Sequence, residues 1–333
     1  MTETPVLEVQ DLQTHFFTKA GIAKAVDGIS FTIGKGELVG LVGESGSGKT
    51  VTGFSILGLV DPPGRIAGGS IKIGGSELVG QSEEQLRPIR GRKIAMIFQD
   101  PMMTLNPVLR IDTQMIETIT AHEDVSAEAA RERARAALAQ VGIASPDERL
   151  TAYPHQFSGG MRQRVAIAIA LLHEPELIIA DEPTTALDVT IQSQILHEVQ
   201  KLCTDSGTAL LWITHDLAVI AGLADRILVM YAGRLVEQGK VDDVLDRPMH
   251  PYTQGLIGSV PSQNRRGQPL AQIPGMTPSL LHLGEGCAFA SRCSRANELC
   301  CEASPELSSQ GDDRAFRCHH PILEHTGAEI SAS

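Results

Sequence analysis

The chain has 333 residues and 35.6 kDa, with 42% hydrophobic, 20% charged and 4% aromatic residues, enough for one large domain or one large and one small, with a core filled mainly by aliphatic side chains. A formal net charge of −12 lacks the basic footprint of a dedicated nucleic-acid binder, so no nucleic-acid partner is expected. No apolar run reaches the ~18 residues that suggest a membrane-spanning helix, and the start, MTETPVLEVQDLQ, shows no basic segment followed by an apolar one; the expectation is a cytosolic chain held at a membrane only by partners.

Residues 6–42 read as short strands and turns that end in the apolar run Leu38–Val42. A Gly-rich loop follows, and then a helix over Val51–Val60 that Asp61-Pro62-Pro63-Gly64 stops. Strand signals return at Ser70–Ile73 and Ile94–Phe98. From Ser126 to Val141 the chain is rich in Ala, Arg and Glu, and Ala130, Ala134, Ala137, Leu138 and Val141 share one helical face. This helical insertion runs to Leu172, with breaks near Ser145-Pro146 and Tyr153-Pro154. Leu177–Ala180 and Ala209–Ile213 are continuous apolar runs suited to buried parallel strands, and Thr190–Leu202 suits the crossover helix between them. Ile227–Met230 and Arg234–Gln238 read as a hairpin through Ala232-Gly233. Prolines then punctuate a segment with little periodicity, which holds five of the six cysteines. The pattern is an α/β fold with an inserted helical subdomain: a main domain over 1–244 with the helical part at about 105–172, a Pro- and Cys-rich C-terminal extension over 245–322, and a disordered tail over 323–333.

Gly43-Glu44-Ser45-Gly46-Ser47-Gly48-Lys49-Thr50 matches G-x-x-x-x-G-K-[ST] between an apolar strand and a helix, the context that the motif requires. Phosphate oxygens need many donors and little bulk. Glycines let backbone N–H groups curl around the β-phosphate, and the helix N-terminus adds positive potential. Lys49 is expected to reach the β- and γ-phosphates, and the Thr50 hydroxyl to ligate Mg²⁺. Leu177–Ala180 leads into Asp181 and Glu182. Two acids at a buried strand end are costly unless a cation or a reaction uses them. Asp181 is expected to hold Mg²⁺ through its shell, and Glu182 to act as general base for the attacking water.

Ser158-Gly159-Gly160-Met161-Arg162-Gln163-Arg164, shortly before the Asp-Glu strand, resembles the signature motif of ABC ATPases. Gln99 resembles the Q-loop glutamine of that family, Ala186-Leu187-Asp188 its D-loop, and His215 its switch histidine. The resemblance implies a P-loop NTPase core that pairs head to tail, with ATP and Mg²⁺ between two chains. Ser158, Gly159, Gly160 and Met161 would then face the γ-phosphate of the partner's nucleotide, from a helix start whose free N–H groups suit an anion. Gln99 would sense the γ-phosphate, Mg²⁺ or the attacking water, and His215 would stabilise the transferring phosphoryl group. The family stacks adenine on an aromatic side chain upstream of the P-loop, for which Phe16 and Phe17 are candidates and Phe17 the favoured one.

Phe98-Gln99-Asp100-Pro101-Met102-Met103-Thr104-Leu105-Asn106-Pro107 and His250-Pro251-Tyr252-Thr253 resemble the dipeptide/oligopeptide permease branch, as does Met161 where most signature motifs carry Gln. That resemblance implies the ATP-hydrolysing subunit of an importer of dipeptides, oligopeptides or a related small solute. It would sit at the cytoplasmic face of the inner membrane with a homologous ATPase and two membrane permease subunits, served indirectly by an extracytoplasmic solute-binding protein. Since the ATPase never touches the solute, the sequence does not name it.

Cys287, Cys293, Cys300 and Cys318 are separated by 5, 6 and 17 residues, with Cys301 beside the third; this is not the spacing of a zinc ribbon. In a reducing compartment they are thiols or metal ligands rather than disulfides. Four thiolates in a segment with little core of its own can nucleate a small metal fold. The branch resemblance places cysteines at these four positions and implies a [4Fe–4S] cluster, with Zn²⁺ or plain thiols as alternatives, Cys301 as a substitute for Cys300, and His319 and His320 as outside candidates. Two readings compete with transport: a soluble ABC ATPase of DNA repair or translation, and a regulator in which the cysteines sense redox state or metal.

Overall fold

A computed structural model describes residues 4–184, 189–260, 272–311 and 314–323. The strands, in chain order, are β1 (Leu7–Thr18), β2 (Gly21–Ile33), β3 (Leu38–Val42), β4 (Gly64–Ile73), β5 (Ser76–Glu77), β6 (Ile94–Ile97), β7 (Leu177–Asp181), β8 (Ala209–Thr214), β9 (Arg226–Tyr231), β10 (Arg234–Lys240), β11 (Ser308–Ser309) and β12 (Ala315–Phe316). The helices are α1 (Lys49–Leu57), α2 (Glu83–Leu86), α3 (Ile111–Thr120), α4 (Ala127–Gln140), α5 (Pro146–Leu150), α6 (Gly159–Leu171), α7 (Val189–Ser206), α8 (Leu217–Leu223), α9 (Val241–Asp246), α10 (Pro251–Gly258) and α11 (Glu298–Glu302).

One sheet runs β11-β12-β10-β9-β3-β8-β7-β6, and β9, β3, β8, β7 and β6 are mutually parallel. The apolar runs supply both faces. Leu38, Val42, Ile178, Ala180, Leu210 and Trp212 join one buried cluster with the helical subdomain. Val39, Leu41, Leu177, Ile179, Leu211 and Ile213 join another with β1, β2 and α1. Alternation with a period of two is what a strand imposes, and a parallel strand covered on both faces carries apolar residues at both phases. Strands β2-β1-β4-β5 form a second, antiparallel sheet over that cluster.

The run Ala130, Ala134, Ala137, Leu138 is the buried face of α4, and Ser126 caps its start by accepting from Ala129 N–H. Arg164 on α6 fastens the helical insertion to α7 and to the end of α4. Its Nη1 donates to Glu198 Oε1 at 2.6 Å and to the Val141 carbonyl at 2.6 Å.

The segment after residue 245 shares the main body's sheet and core. Strand β12 pairs antiparallel with β10, Glu237 opposite Phe316. The Glu237 carboxylate, 1% exposed, accepts from the N–H groups of Met249 and His250 at 2.7 and 2.9 Å and from Arg314 Nη2 at 3.0 Å. A buried carboxylate is tolerable only when its lone pairs are filled in this way. Tyr252 packs tilted and Phe289 edge-to-face against Tyr231, at centroid distances of 4.6 and 5.2 Å, so aromatic packing joins extension to strand.

Trp212 is the largest fully buried side chain, at 1% exposure, and its Nε1 has no hydrogen-bond partner among the described residues. Trp212→Ala is expected to cost roughly 3–5 kcal/mol through the cavity it leaves. Trp212→Phe is expected to cost clearly less, because it keeps a ring and removes an unpaired N–H. Urea unfolding followed by circular dichroism checks the order of the two.

Candidate functional site

Strands β3, β7 and β8 are hydrogen-bonded neighbours running in one direction, so their C-terminal ends meet at one sheet edge, where open α/β sheets place their ligands. Three motifs follow directly from those ends: Gly43–Thr50 after β3, Asp181-Glu182 at the end of β7, and His215 after β8. Gln99 follows β6 at the same edge.

The P-loop wraps the start of α1. Gly48 caps that helix with φ 105°, and a Cβ there would lie 2.1 Å from the Ala25 carbonyl oxygen. A Cβ on Gly43 would lie 2.2 Å from the Met230 carbonyl oxygen. Both positions therefore require glycine for close backbone approach. Lys49 Nζ donates to the carbonyls of Gly43 and Glu44 at 2.8 and 3.1 Å. Burial pushes its pKa below the usual lysine range, against the pull of Glu182, Asp181 and Glu44. Ser47 is fully buried, and its Oγ has no hydrogen-bond partner among the described residues.

Thr50 Oγ1 donates to Asp181 Oδ1 at 3.1 Å. Asp181 is 5% exposed, and burial raises its pKa, partly offset by the Thr50 hydrogen bond. Hydroxyl and carboxylate oxygens side by side at a helix start form a hard-oxygen set that fits Mg²⁺. Next to it, Glu182 takes φ 44°, a left-handed conformation that costs a non-glycine residue energy and marks functional turns. His215 Nδ1 lies 3.2 Å from Glu182 Oε2.

A cavity of about 930 Å³ opens over these groups and is lined by Gly43–Gly46, Gly48–Thr50, Gln99, Glu182 and His215. Asp181 lies behind it against Thr50. Ser158 and Gly159 are exposed, while Gly160 and Met161 are half-buried, and none of the four lines this cavity. Ser158 caps α6 by accepting from Met161 N–H at 3.3 Å. Asp188 lies outside the described residues. Phe17 does not line the cavity either; the Arg65 guanidinium covers its ring at 4.2 Å.

Two contacts had no sequence signal. Glu44 N–H donates to Tyr252 Oη at 2.8 Å across 208 residues. The Glu44 carboxylate accepts from Arg292 Nη1 and Nη2 at 2.6 and 2.9 Å across 248 residues, and those hydrogen bonds hold its pKa below the ordinary carboxylate range. Tyr252 stands in the His250–Thr253 motif, but nothing local pairs it or Arg292 with Glu44, so only the fold could reveal the two contacts.

Cys287, Cys293, Cys300 and Cys318 line one small cavity of about 20 Å³, together with His250, His319 and His320. Burial pushes the Cys318 thiol up to about 11 and raises that of Cys287 as well. Cys301 is exposed and outside the cavity, and Cys203 is buried in α7 with its thiol pushed up to about 12. Among the described residues no three His, Cys, Asp or Glu side chains are arranged to hold a metal ion as they stand.

Residues 26–185 match the ABC transporter family, and residues 236–300 match the family described as oligopeptide/dipeptide transporter, C-terminal region. The chain is 47% identical over 327 residues to the oligopeptide transport ATP-binding protein AppD of Bacillus subtilis, covering 98% of this chain and 99% of that one. It is 47% identical over 320 residues to the oligopeptide transport ATP-binding protein OppD of Salmonella typhimurium, covering 96% and 95%. Among solved structures, the dimeric ATP-binding cassette MJ0796, in a post-hydrolysis state bound to ADP and Pi, aligns with a TM-score of 0.64 at 28% identity, covering 71% of this chain and 98% of that one.

Gly48→Ala is expected to displace the P-loop, since its Cβ would clash with a backbone oxygen at a positive φ. Thermal melting with and without MgATP checks this: the variant should lose the ATP-induced rise in melting temperature that the parent chain shows.

Proposed function

The chain belongs to the ABC transporter family, and from that premise we propose that it is the ATP-hydrolysing subunit of an importer of dipeptides, oligopeptides or a related small solute. The observation that carries this reading is the convergence of the P-loop, Gln99, Glu182 and His215 on one cavity. The chain is an ATPase that uses ATP with Mg²⁺, and each residue has a chemical part in that reaction.

The backbone N–H groups of Gly46, Ser47 and Gly48 and the start of α1 receive the phosphates. Lys49, whose Nζ donates to the Gly43 and Glu44 carbonyls, supplies buried positive charge to the β- and γ-phosphates. Thr50 and Asp181 would hold Mg²⁺ with help from Gln99, and the ion would supply positive charge to the phosphate oxygens. Glu182 takes a proton from the attacking water as the new oxygen–phosphorus bond forms in line with the bond to the leaving ADP. His215, within 3.2 Å of Glu182, orients that carboxylate and stabilises the transferring group.

The exposed Ser158 and Gly159, set away from the chain's own P-loop, support a head-to-tail pair in which each signature motif covers the partner's nucleotide. We assign that partner to a homologous ATPase subunit, and the four-residue set Ser158–Met161 and Asp188 to the shared interface. The side chains of Met103 and Val108 after Gln99 are 69% and 75% exposed, which supports a surface that receives a permease subunit. Among the described residues no helix is long and apolar enough to cross a membrane, so two permease subunits would hold the chain at the cytoplasmic face. Phe17 remains the proposed adenine partner only if Arg65 withdraws from its ring.

The four cysteines of the small cavity are proposed as ligands of a [4Fe–4S] cluster, with Zn²⁺ as the alternative. Their convergence supports this, while the narrow space means that the thiols must spread to admit a cluster. Loading replaces thiol protons, and a cluster would supply a fastening for the extension and a one-electron redox site.

Glu182→Gln is expected to lower phosphate release by the assembled complex at least ~100-fold while ATP stays bound; normal hydrolysis by that variant would overturn the base assignment. Anaerobic purification with metal analysis should find about four irons per chain and a broad visible band, both lost in Cys318→Ser; a colourless chain free of iron and zinc would leave plain thiols.

A further inference from the structure

Glu44 is an anomaly of charge. It is the second residue of a loop built to bind a polyanion, and it lines the nucleotide cavity. A free carboxylate there would repel the phosphates that Lys49 attracts. The structure handles it from the far end of the chain. Arg292 meets it fork to fork, Nη1 to Oε2 at 2.6 Å and Nη2 to Oε1 at 2.9 Å, and Thr277 Oγ1 adds a donor at 3.1 Å. Bidentate pairing of this kind fixes direction as well as charge.

Arg292 is itself held rigidly. Its Nε donates to the Pro274 carbonyl at 2.8 Å and its Nη1 reaches Tyr231 Oη at 3.3 Å, leaving its side chain 4% exposed against 28% for Glu44. Tyr252 Oη accepts the Glu44 N–H at 2.8 Å, so backbone and side chain of one P-loop residue are both gripped from beyond residue 245. Glu44's own carbonyl accepts from Lys49 Nζ. The grip therefore sets the loop from which Lys49 and the phosphate-binding amides project. Part of the cavity lining also comes from this region, through Leu256, Ser259, Ile273 and Leu280.

We propose that Arg292 is a positioning residue of the nucleotide site: it neutralises Glu44 and turns it away, so that the P-loop presents net positive potential and a fixed shape to ATP. The C-terminal extension thereby becomes part of the nucleotide site rather than an appendage to it. This rests on the reading of Gly43–Thr50 as the nucleotide loop.

A merely structural Arg292 would alter stability and leave nucleotide affinity alone. A positioning Arg292 makes a different pattern. Arg292→Met leaves Glu44 uncompensated beside the phosphates, and should raise the Kd for MgATP roughly 10–100-fold. Glu44→Gln removes the repelling charge, so Arg292→Met should cost far less ATP affinity in the Glu44→Gln background than in the parent chain. The double variant should regain most of the affinity that Arg292→Met loses. Arg292→Lys keeps charge without the fork and should fall between. In the assembled complex, KM for ATP should rise with kcat little changed.

The test is equilibrium dialysis of the full-length chain and its variants against labelled MgATP, with thermal melting of the same samples. Rescue of Arg292→Met by Glu44→Gln is the expected result. If the parent chain binds ATP and Arg292→Met binds it equally well, or if the double variant is as weak as Arg292→Met, the proposal is overturned. If the parent chain itself fails to bind ATP, the nucleotide-site reading fails first. Should Arg292→Met not fold, Arg292→Lys with and without Glu44→Gln carries the same comparison, with a few-fold loss and its recovery expected and equal affinities contradicting it.

Discussion

The hydrogen bond from Thr50 Oγ1 to Asp181 Oδ1 joins residues 131 positions apart, and the chemistry of the molecule depends on the alignment it marks. It exists because β3 and β7 lie on either side of β8 in one parallel sheet, so that the chain leaving β3 into α1 and the chain ending β7 arrive at the same edge. Each strand contributes polar groups only at its exit. Within the sheet, apolar side chains at both phases force burial on both faces; at the exit, the P-loop, two acids and a histidine meet at one cavity. The buried Lys49 and Asp181, with pKa values pushed toward their neutral forms by burial, are stored electrostatic need that Mg²⁺ and phosphate can satisfy.

A second arrangement qualifies that edge. The segment beyond residue 245 adds a strand to β10, fills the aromatic cluster of Tyr231, Tyr252 and Phe289, and reaches Glu44 through Arg292. The cysteine cavity lies on the same element, with Arg292 next to Cys293 in sequence. Packing that orders the cysteine-bearing turn therefore also orders the arginine that faces the P-loop.

Much of this was legible in the residues because the signals are local. The apolar run Leu38–Val42 is β3, the predicted hairpin is β9 and β10, and the Ala-face helix is α4. The P-loop announces itself because close backbone approach at Gly43 and Gly48 leaves glycine little competition. The strand expected at Ser70–Ile73 begins at Gly64, the last residue of the predicted helix stop, because pairing with β1 extends it back that far; tertiary pairing outweighed weak local strand signals. The Glu44–Arg292 pair was not legible, since no local signal joins a P-loop residue to an arginine 248 positions away. The choice between Phe16 and Phe17 rests on little for a related reason: two adjacent phenylalanines in a strand point to opposite faces, and the sequence does not say what covers each.

If one edge of one chain assembles an Mg²⁺-ATP site from three strand ends, the purified chain binds that nucleotide by itself. Calorimetric titration of the purified chain with ATP, in the presence and absence of Mg²⁺, tests it most directly. One nucleotide per chain, bound distinctly more tightly with Mg²⁺, is the predicted result. No heat of binding, or an affinity indifferent to Mg²⁺, would contradict the assignment of Thr50 and Asp181 to the ion and of the edge to ATP.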